Sequence, residues 1–392
     1  MQTRKHNRRL LYASNVSHVA HLDHLLNWSD WEIFIMRPWV PKKWIITISG
    51  FISKRFSTTL SSREKDLISN HNYVSLTLGL SQFYAPIKNI IKGSPLSQKE
   101  LKLIEWRLSK KVESKISNMN VIIMTRDIFP KIKNPSGQIF LAEMRENHPL
   151  NSWNRLETLA GYPYDSEKNQ AIKDTYLKKF EIIKANASGL LTYSTIAKDS
   201  FSLNGFPADK IFVFPLKFPQ LTTPQGSINR DPNCLFVGRD DPNKGLDLAV
   251  LATKKANVKL RVVGHYSNDV IKWIKKFEHV EYIGPVNRRQ MHELMSTTHT
   301  LLAPSLESYG LSVIEALDSG CLIVSSKLNG AAATFEHSPN VFCAEKLELS
   351  AITEQLDKAL NSNYSYVEQI PQEDFSIKFL EYLNKINYHE NY

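Results

Sequence analysis

Between residues 234 and 360 the chain alternates short apolar runs with helical stretches, and nothing else limits its possible folds as much. CLFVG at 234–238 precedes a helical pattern at 246–256, KLRVVG at 259–264 one at 269–277, and VEYIG at 280–284 one at 288–297. TLLA at 300–303 and CLIVSS at 321–326 follow, with a short helix between them at 313–317 and a closing helix at 349–360. Apolar runs of this kind read as strands covered on both faces, and the helix after each is the crossover that a parallel sheet requires. Five such βα units predict an open, Rossmann-like parallel sheet with helices on both sides.

The first half repeats the alternation less regularly. Strands are expected at 10–14, 32–36, 44–49, 74–78, 121–125, 138–142 and 189–194, and helices at 97–116, 167–185 and 195–203. Prolines 215, 219, 224 and 232, with little periodicity around them, mark a linker. Residues 374–386 form one more amphipathic helical pattern after the second sheet. The expected division is therefore 1–215, a linker at 216–232, 233–365, and a terminal helix within 366–392.

Charge separates the halves. Residues 1–220 carry 32 Lys+Arg against 18 Asp+Glu, whereas residues 221–392 carry 17 against 21. A basic first half suits an anionic partner, such as a charged glycan or a membrane surface. Nucleic acid is disfavoured because no face interleaves aromatic and basic residues as a base-reading surface would. Trp39, Trp44, Lys42, Lys43, Lys54 and Arg55 mix aromatics and cations as a headgroup-facing stretch does, and equally as a half-buried strand does. No apolar run reaches the roughly 20 residues of a membrane span, and the basic N-terminus lacks the long apolar run of a signal peptide. Cys234, Cys321 and Cys343 form no C-x2-C pair and read as free thiols in a reducing compartment.

Two loops of the second half carry chemistry. In an open parallel sheet, the loops at the carboxyl ends of the strands form the ligand crevice. After strand 234–238 comes VGRDDPNKGL: Gly238 ends the strand, and Arg239 and Lys244 follow with four residues between them. Arginine grips a diphosphate bidentately and lysine adds a point charge. After strand 300–303, residues 303–320 read APSLESYGLSVIEALDSG, with Glu307 in the loop and Glu315 one turn into the helix. Ser312 is the expected N-cap and Gly320 the stop, so the amides of Gly310, Leu311 and Ser312 lie at the helix N-terminus, where anions bind.

These patterns, G-R-x4-K and E-x7-E, resemble the signatures of the family 4 retaining glycosyltransferases, which have the two-domain GT-B fold. Residues 187–215, a strand ending in serine, a helix and a lysine-led strand ending in proline, are similar to the family's closing segment of the first domain. The resemblance covers roughly 187–362 well and 1–186 in outline. It implies an α/β chain of two Rossmann-like domains facing a central cleft. The first would bind the acceptor, the second the nucleotide-sugar, and the terminal helix would cross back to the first domain.

The implied reaction moves a sugar from a nucleotide-sugar to an acceptor hydroxyl with retention at the anomeric carbon. Arg239, Lys244, Gly238 and the amides of Gly310, Leu311 and Ser312 would hold the diphosphate. Glu315 would bind the ribose and Glu307 would orient the donor sugar. The backbone at Tyr282 and Ile283 would meet the base, and His148 would touch donor sugar or acceptor. No cofactor is implied beyond the nucleotide-sugar co-substrate, and no metal, because protein cations do the phosphate work. The acceptor would be a glycan or lipid-linked glycan in bacterial surface polysaccharide or glycolipid synthesis. The implied place is the cytoplasm, with peripheral attachment to the inner membrane face as a further expectation.

The sequence departs from the family at three places. Residues 15–24 contain no glycine where a glycine-rich loop is usual, and carry His18, His21 and His24 instead, read as a solvent-facing helix rather than a metal site. Leu216-Lys217-Phe218 replaces the usual Asn-Gly, and Ala333 stands where an acid is common. Rival readings are a degenerate GT-B protein that binds glycan or a partner, a nucleotide-sugar epimerase on the same fold, and a glycosidase using Glu307 and Glu315 as its paired carboxylates.

Overall fold

The computed structural model describes residues 8–13, 31–36, 73–76, 98–132, 138–152, 159–214, 230, 232–365 and 375–390. The expected strand at 44–49, the histidines at 18, 21 and 24, and most of the expected linker lie outside them. The first sheet contains β1 (Arg8–Ala13), β2 (Trp31–Met36), β3 (Tyr73–Leu76), β4 (Val121–Thr125), β5 (Ile139–Met144), β6 (Gly189–Thr192) and β7 (Ile211–Val213). All pairings are parallel, in the order β3-β2-β1-β4-β5-β6-β7. Its helices are α1 (Gln98–Glu113), α2 (Pro149–Ser152), α3 (Ser166–Asn186) and α4 (Thr195–Leu203).

The second sheet contains β8 (Asn233–Val237), β9 (Lys259–Val263), β10 (Val280–Gly284), β11 (Thr300–Ala303), β12 (Leu322–Ser326) and β13 (Val341–Ala344). It is parallel throughout, in the order β10-β9-β8-β11-β12-β13. Helices α5 (Leu246–Lys255), α6 (Asn268–Ile274), α7 (Arg288–Thr297), α8 (Leu311–Asp318), α9 (Gly330–Thr334) and α10 (Leu349–Leu360) cover it. Strand β13 and helix α9 are additions to the sequence reading; each is too short to show a period. In both sheets the strand order reverses beside the first strand, at β1/β4 and at β8/β11. Such a switch point opens a crevice at the carboxyl ends of the strands.

The period of two along each strand builds two cores per sheet. Leu11 and Ala13 of β1, Ile122 and Met124 of β4, and Phe140 and Ala142 of β5 face α1, α3 and α4. Leu10, Tyr12, Ile123 and Leu141 face the other way. That second face is covered by α11 (Phe375–Glu390), whose Phe379, Tyr382, Leu383 and Ile386 follow helical spacing. The Tyr382 hydroxyl donates to Lys210 O at 2.7 Å, and Gly189 makes room for it, since a Cβ there would lie 2.1 Å from that oxygen. The C-terminal helix therefore packs on the first domain.

The first domain also reaches the second through residues 159–164, between α2 and α3. The Leu159 amide donates to Asp247 Oδ2 at 2.9 Å, and Trp273 Nε1 donates to Ala160 O at 2.9 Å. Tyr162 is buried edge-on against Trp273 with 5.1 Å between ring centroids. Its hydroxyl donates to Asp240 Oδ1 at 3.3 Å, one residue from Arg239.

Candidate active site

The β8/β11 switch point brings the two loops together. Strands β8 and β11 pair at Cys234–Thr300 and Leu235–Leu301, so the chain beyond each strand enters the same crevice. Lys244 Nζ lies 2.5 Å from Glu307 Oε1, joining G-R-x4-K to E-x7-E directly. The Leu306 amide donates to Asn243 O at 2.9 Å and ties the two backbones. Gly245 allows this approach: its φ is +75°, and a Cβ there would lie 2.1 Å from Pro304 O.

Arg239 lies one residue beyond the strand end at Gly238, with two thirds of its side chain open to solvent. Its Nη2 contacts Asp241 Oδ2 at 3.1 Å. Burial pulls the guanidinium down, but Asp241 first, and Glu146 and Glu307 with it, more than offset that and raise its pKa. Glu146 belongs to the first domain. There Arg126 bonds Glu146 at 3.0 Å and stacks over Tyr176 at 3.9 Å. This part of the first domain is thus mixed in charge and internally paired.

Helix α8 begins at Leu311, not at Val313. Gly310, at φ +98°, is its N-cap, and no side chain caps it. The expectation that Ser312 caps the helix is therefore corrected: Ser312 lies within the first turn. The reason is tertiary. A Cβ on Gly310 would meet Asn329 Oδ1 at 2.4 Å, so packing against Asn329 selects glycine and the left-handed conformation. Asn329 is fully buried; its Nδ2 donates to Ser305 Oγ at 2.9 Å and its Oδ1 accepts from the Ala332 amide at 3.1 Å. It organises the loop that holds Glu307, a role the sequence reading missed, although an Asn-Gly pair after a strand is a turn signal. Ala333 sits one residue beyond Ala332, in α9.

Gly310, Leu311 and Ser312 stand together at the α8 N-terminus, and Leu311 is among the exposed large hydrophobic residues. Glu315 projects from the same helix with its side chain accessible. The protein around its carboxyl raises its pKa by desolvation, and Arg288 counters in part. Tyr282 donates its hydroxyl to Gly264 O at 3.0 Å. The β9–β10 register passes from Tyr282–Val262 to Gly284–Val263, a bulge that leaves Ile283 without a Cα partner in that ladder.

His148 does not join this group. It is 2% exposed, its ring edge-on to Phe180 and Phe201, and its Nδ1 accepts from the Leu150 amide at 3.2 Å. Burial, with Lys184 adding to it, pulls the imidazole down to about 4. The expectation that His148 touches substrate is corrected to a core position in the first domain: two phenylalanines from α3 and α4 enclose the ring. Among the described residues, no group of three or more His, Cys, Asp or Glu is placed to hold a metal ion. Among them too, no helix is long and apolar enough to cross a membrane.

Residues 220–374 match the family model described as glycosyl transferases group 1. Over 100 residues the chain is 34% identical to an uncharacterized 41.2 kDa protein in the cps region of Klebsiella pneumoniae. That alignment covers 24% of this chain and spans 28% of the relative's length. Among solved structures, Anabaena Alr3699/HepE in complex with UDP-glucose is similar over 98% of both chains, with a TM-score of 0.54 and 15% identity. TarM is similar over 98% of this chain and 95% of its own, with a TM-score of 0.56 and 12% identity. The likeness in fold runs through both domains, which together have the GT-B architecture, and the family match lies on the second domain and its flanks.

Proposed function

We propose that this protein is a retaining glycosyltransferase that moves a sugar from a nucleotide-sugar to an acceptor hydroxyl. The observation that carries the reading is the convergence of Arg239, Lys244, Glu307 and the α8 N-terminus on one crevice at the sheet's switch point. In the reaction, the bond from the anomeric carbon to the leaving phosphate oxygen breaks and its electron pair stays on the phosphate. The acceptor oxygen bonds to the carbon, and its proton passes to the departing phosphate oxygen. Negative charge grows on the diphosphate, and fixed donors placed there lower the barrier, each by about 3 kcal/mol when well aligned. Arg239, Lys244 and the α8 amides fill that role, Glu315 takes the ribose and Glu307 the donor sugar. This assignment gives the phosphate charge to protein cations, so chelators leave turnover unchanged.

UDP-sugars are the first donors to try, because the similar Anabaena protein is solved with UDP-glucose. The cps-region relative and the basic first half favour an acceptor in surface polysaccharide or glycolipid synthesis, approached from the cytoplasmic membrane face. The test is a binding and hydrolysis screen of UDP-, GDP-, ADP- and CMP-sugars, with Glu315→Ala and Arg239→Ala beside the wild type. One donor that stabilises the wild type and is slowly hydrolysed, with both effects lost in the variants, is the expected result. No response to any donor refutes the transferase reading and favours a glycan-binding protein on the same fold.

A further inference from the structure

Glu143 is an acid in an otherwise apolar strand, and it is fully buried. A carboxylate taken out of water is costly unless it is paired and hydrogen-bonded, and an apolar side chain would fill a sheet position without that cost. Glu143 has both kinds of partner. Its Oε1 accepts from the Tyr193 hydroxyl, and its Oε2 lies 3.2 Å from Arg145 Nη2. Burial pulls the Arg145 guanidinium down, but the Glu143 carboxylate outweighs this and holds it above its ordinary range.

Arg145 and Tyr193 both reach the second domain immediately after Glu307. Ser308 Oγ donates to the backbone oxygen of Arg145 at 2.5 Å. The Tyr193 ring packs edge-on to Tyr309 with 6.1 Å between centroids, within the core that includes Val263 and Ile314. On its other side, the loop is held by its own domain: the Glu307 amide donates to Leu328 O at 3.0 Å, and Glu307 O accepts from the Gly330 amide at 2.9 Å. The loop bearing Glu307 is therefore clamped between the two domains.

We propose that Glu143, Arg145 and Tyr193 are positioning residues: through Ser308 and Tyr309 the first domain sets the place of the Glu307 carboxylate. None of the three needs to touch substrate. What Glu307 does once placed rests on the transferase reading; the clamp itself does not.

The test combines amide hydrogen exchange and steady-state kinetics on the full chain carrying Ser308→Ala or Glu143→Gln. Ser308→Ala removes one hydroxyl and leaves both cores intact, so it remains informative if Glu143→Gln fails to fold. The Glu307 and Gly330 amides are expected to exchange about fivefold faster in either variant, the effect of losing one hydrogen bond that holds the loop. With an active donor, kcat falls about tenfold, as for a catalytic group displaced by a fraction of an ångström, while donor KM changes by less than kcat because Arg239 and Glu315 are untouched. A merely structural role would lower Tm and leave kcat and the exchange of these two amides unchanged, and that result in Ser308→Ala overturns the proposal. If the wild type turns over no nucleotide-sugar, the transferase reading fails alone: faster exchange at Glu307 still sustains the clamp, and unchanged exchange overturns it.

Discussion

The loops that follow β11 and β5 occupy comparable places at the carboxyl ends of two parallel sheets, yet they are built in opposite ways. After β11, the chain holds its shape through backbone and small residues: Gly310 packs on Asn329, and Gly245 packs under Pro304 O. The charged groups are left at the surface, with Lys244 and Glu307 partly open, and Arg239 nearby mostly so. After β5, the charged and aromatic groups are spent on each other. Glu143 takes Arg145 and Tyr193, Glu146 takes Arg126, and His148 disappears between two phenylalanines. A loop whose scaffold is glycine and asparagine does not need its ionisable side chains to hold its shape, even where, as with Lys244 and Glu307, they pair with each other. A loop whose ionisable side chains are its scaffold works as a support.

That contrast is broken most severely by Gly310→Ala. The substitution forces a side chain into a left-handed backbone and against Asn329, and each such strained residue costs about 1–3 kcal/mol. The expected outcome is a lowered Tm together with loss of donor binding, because the α8 N-terminus and Glu307 shift together. Thermal melts with and without the donor check it. An Ala variant as stable as the wild type would mean that the loop is not shaped by this contact.

His148 sharpens the other side of the comparison with a smaller effect. Its pKa, near 6.5 unfolded, is held at about 4 in the fold, so between these values the unfolded chain binds a proton that the folded chain refuses. This contribution to stability is fully present above about pH 6.5 and is lost progressively as pH falls toward 4. Denaturant melts between pH 7.5 and 5.5 are expected to show a stability loss in the wild type that is reduced in His148→Gln. Donor affinity at pH 7.5 stays the same in a His148→Gln protein that folds. A large loss of donor affinity there would return His148 to the crevice.

The second domain was the legible one, and the reason is physical. Its central strands β11 and β12 are buried throughout and appear as apolar runs, β8 is nearly so, and a helix follows most strands in turn. Once β8 and β11 pair as neighbours, Lys244 and Glu307 must meet, although 63 positions separate them. What escaped depends on distant partners. The cap of α8 moved from Ser312 to Gly310 because of Asn329 on another loop. The direction of the His148 ring was decided by Phe180 and Phe201, which no local pattern around residue 148 announces. The strand β13 is four residues long and carries no turn signature strong enough to stand alone. One signal was present and unused: Glu143 interrupts an apolar strand, and an acid in such a run marks either a surface or a buried pair.

The central claim is that the second domain alone grips the donor's diphosphate, while the first domain acts only on the place of Glu307. The most direct measurement is calorimetric titration of a nucleoside diphosphate, UDP first, into the wild type, the Arg239→Ala Lys244→Ala double variant, and Glu143→Gln. The account predicts binding by the wild type, a loss of affinity of at least about a hundredfold in the double variant, as charge-assisted contacts to the diphosphate disappear, and affinity within about threefold of wild type in Glu143→Gln, whose contacts lie beyond the phosphate site. Binding that survives removal of both cations, or that depends on Glu143 as strongly as on them, would contradict it.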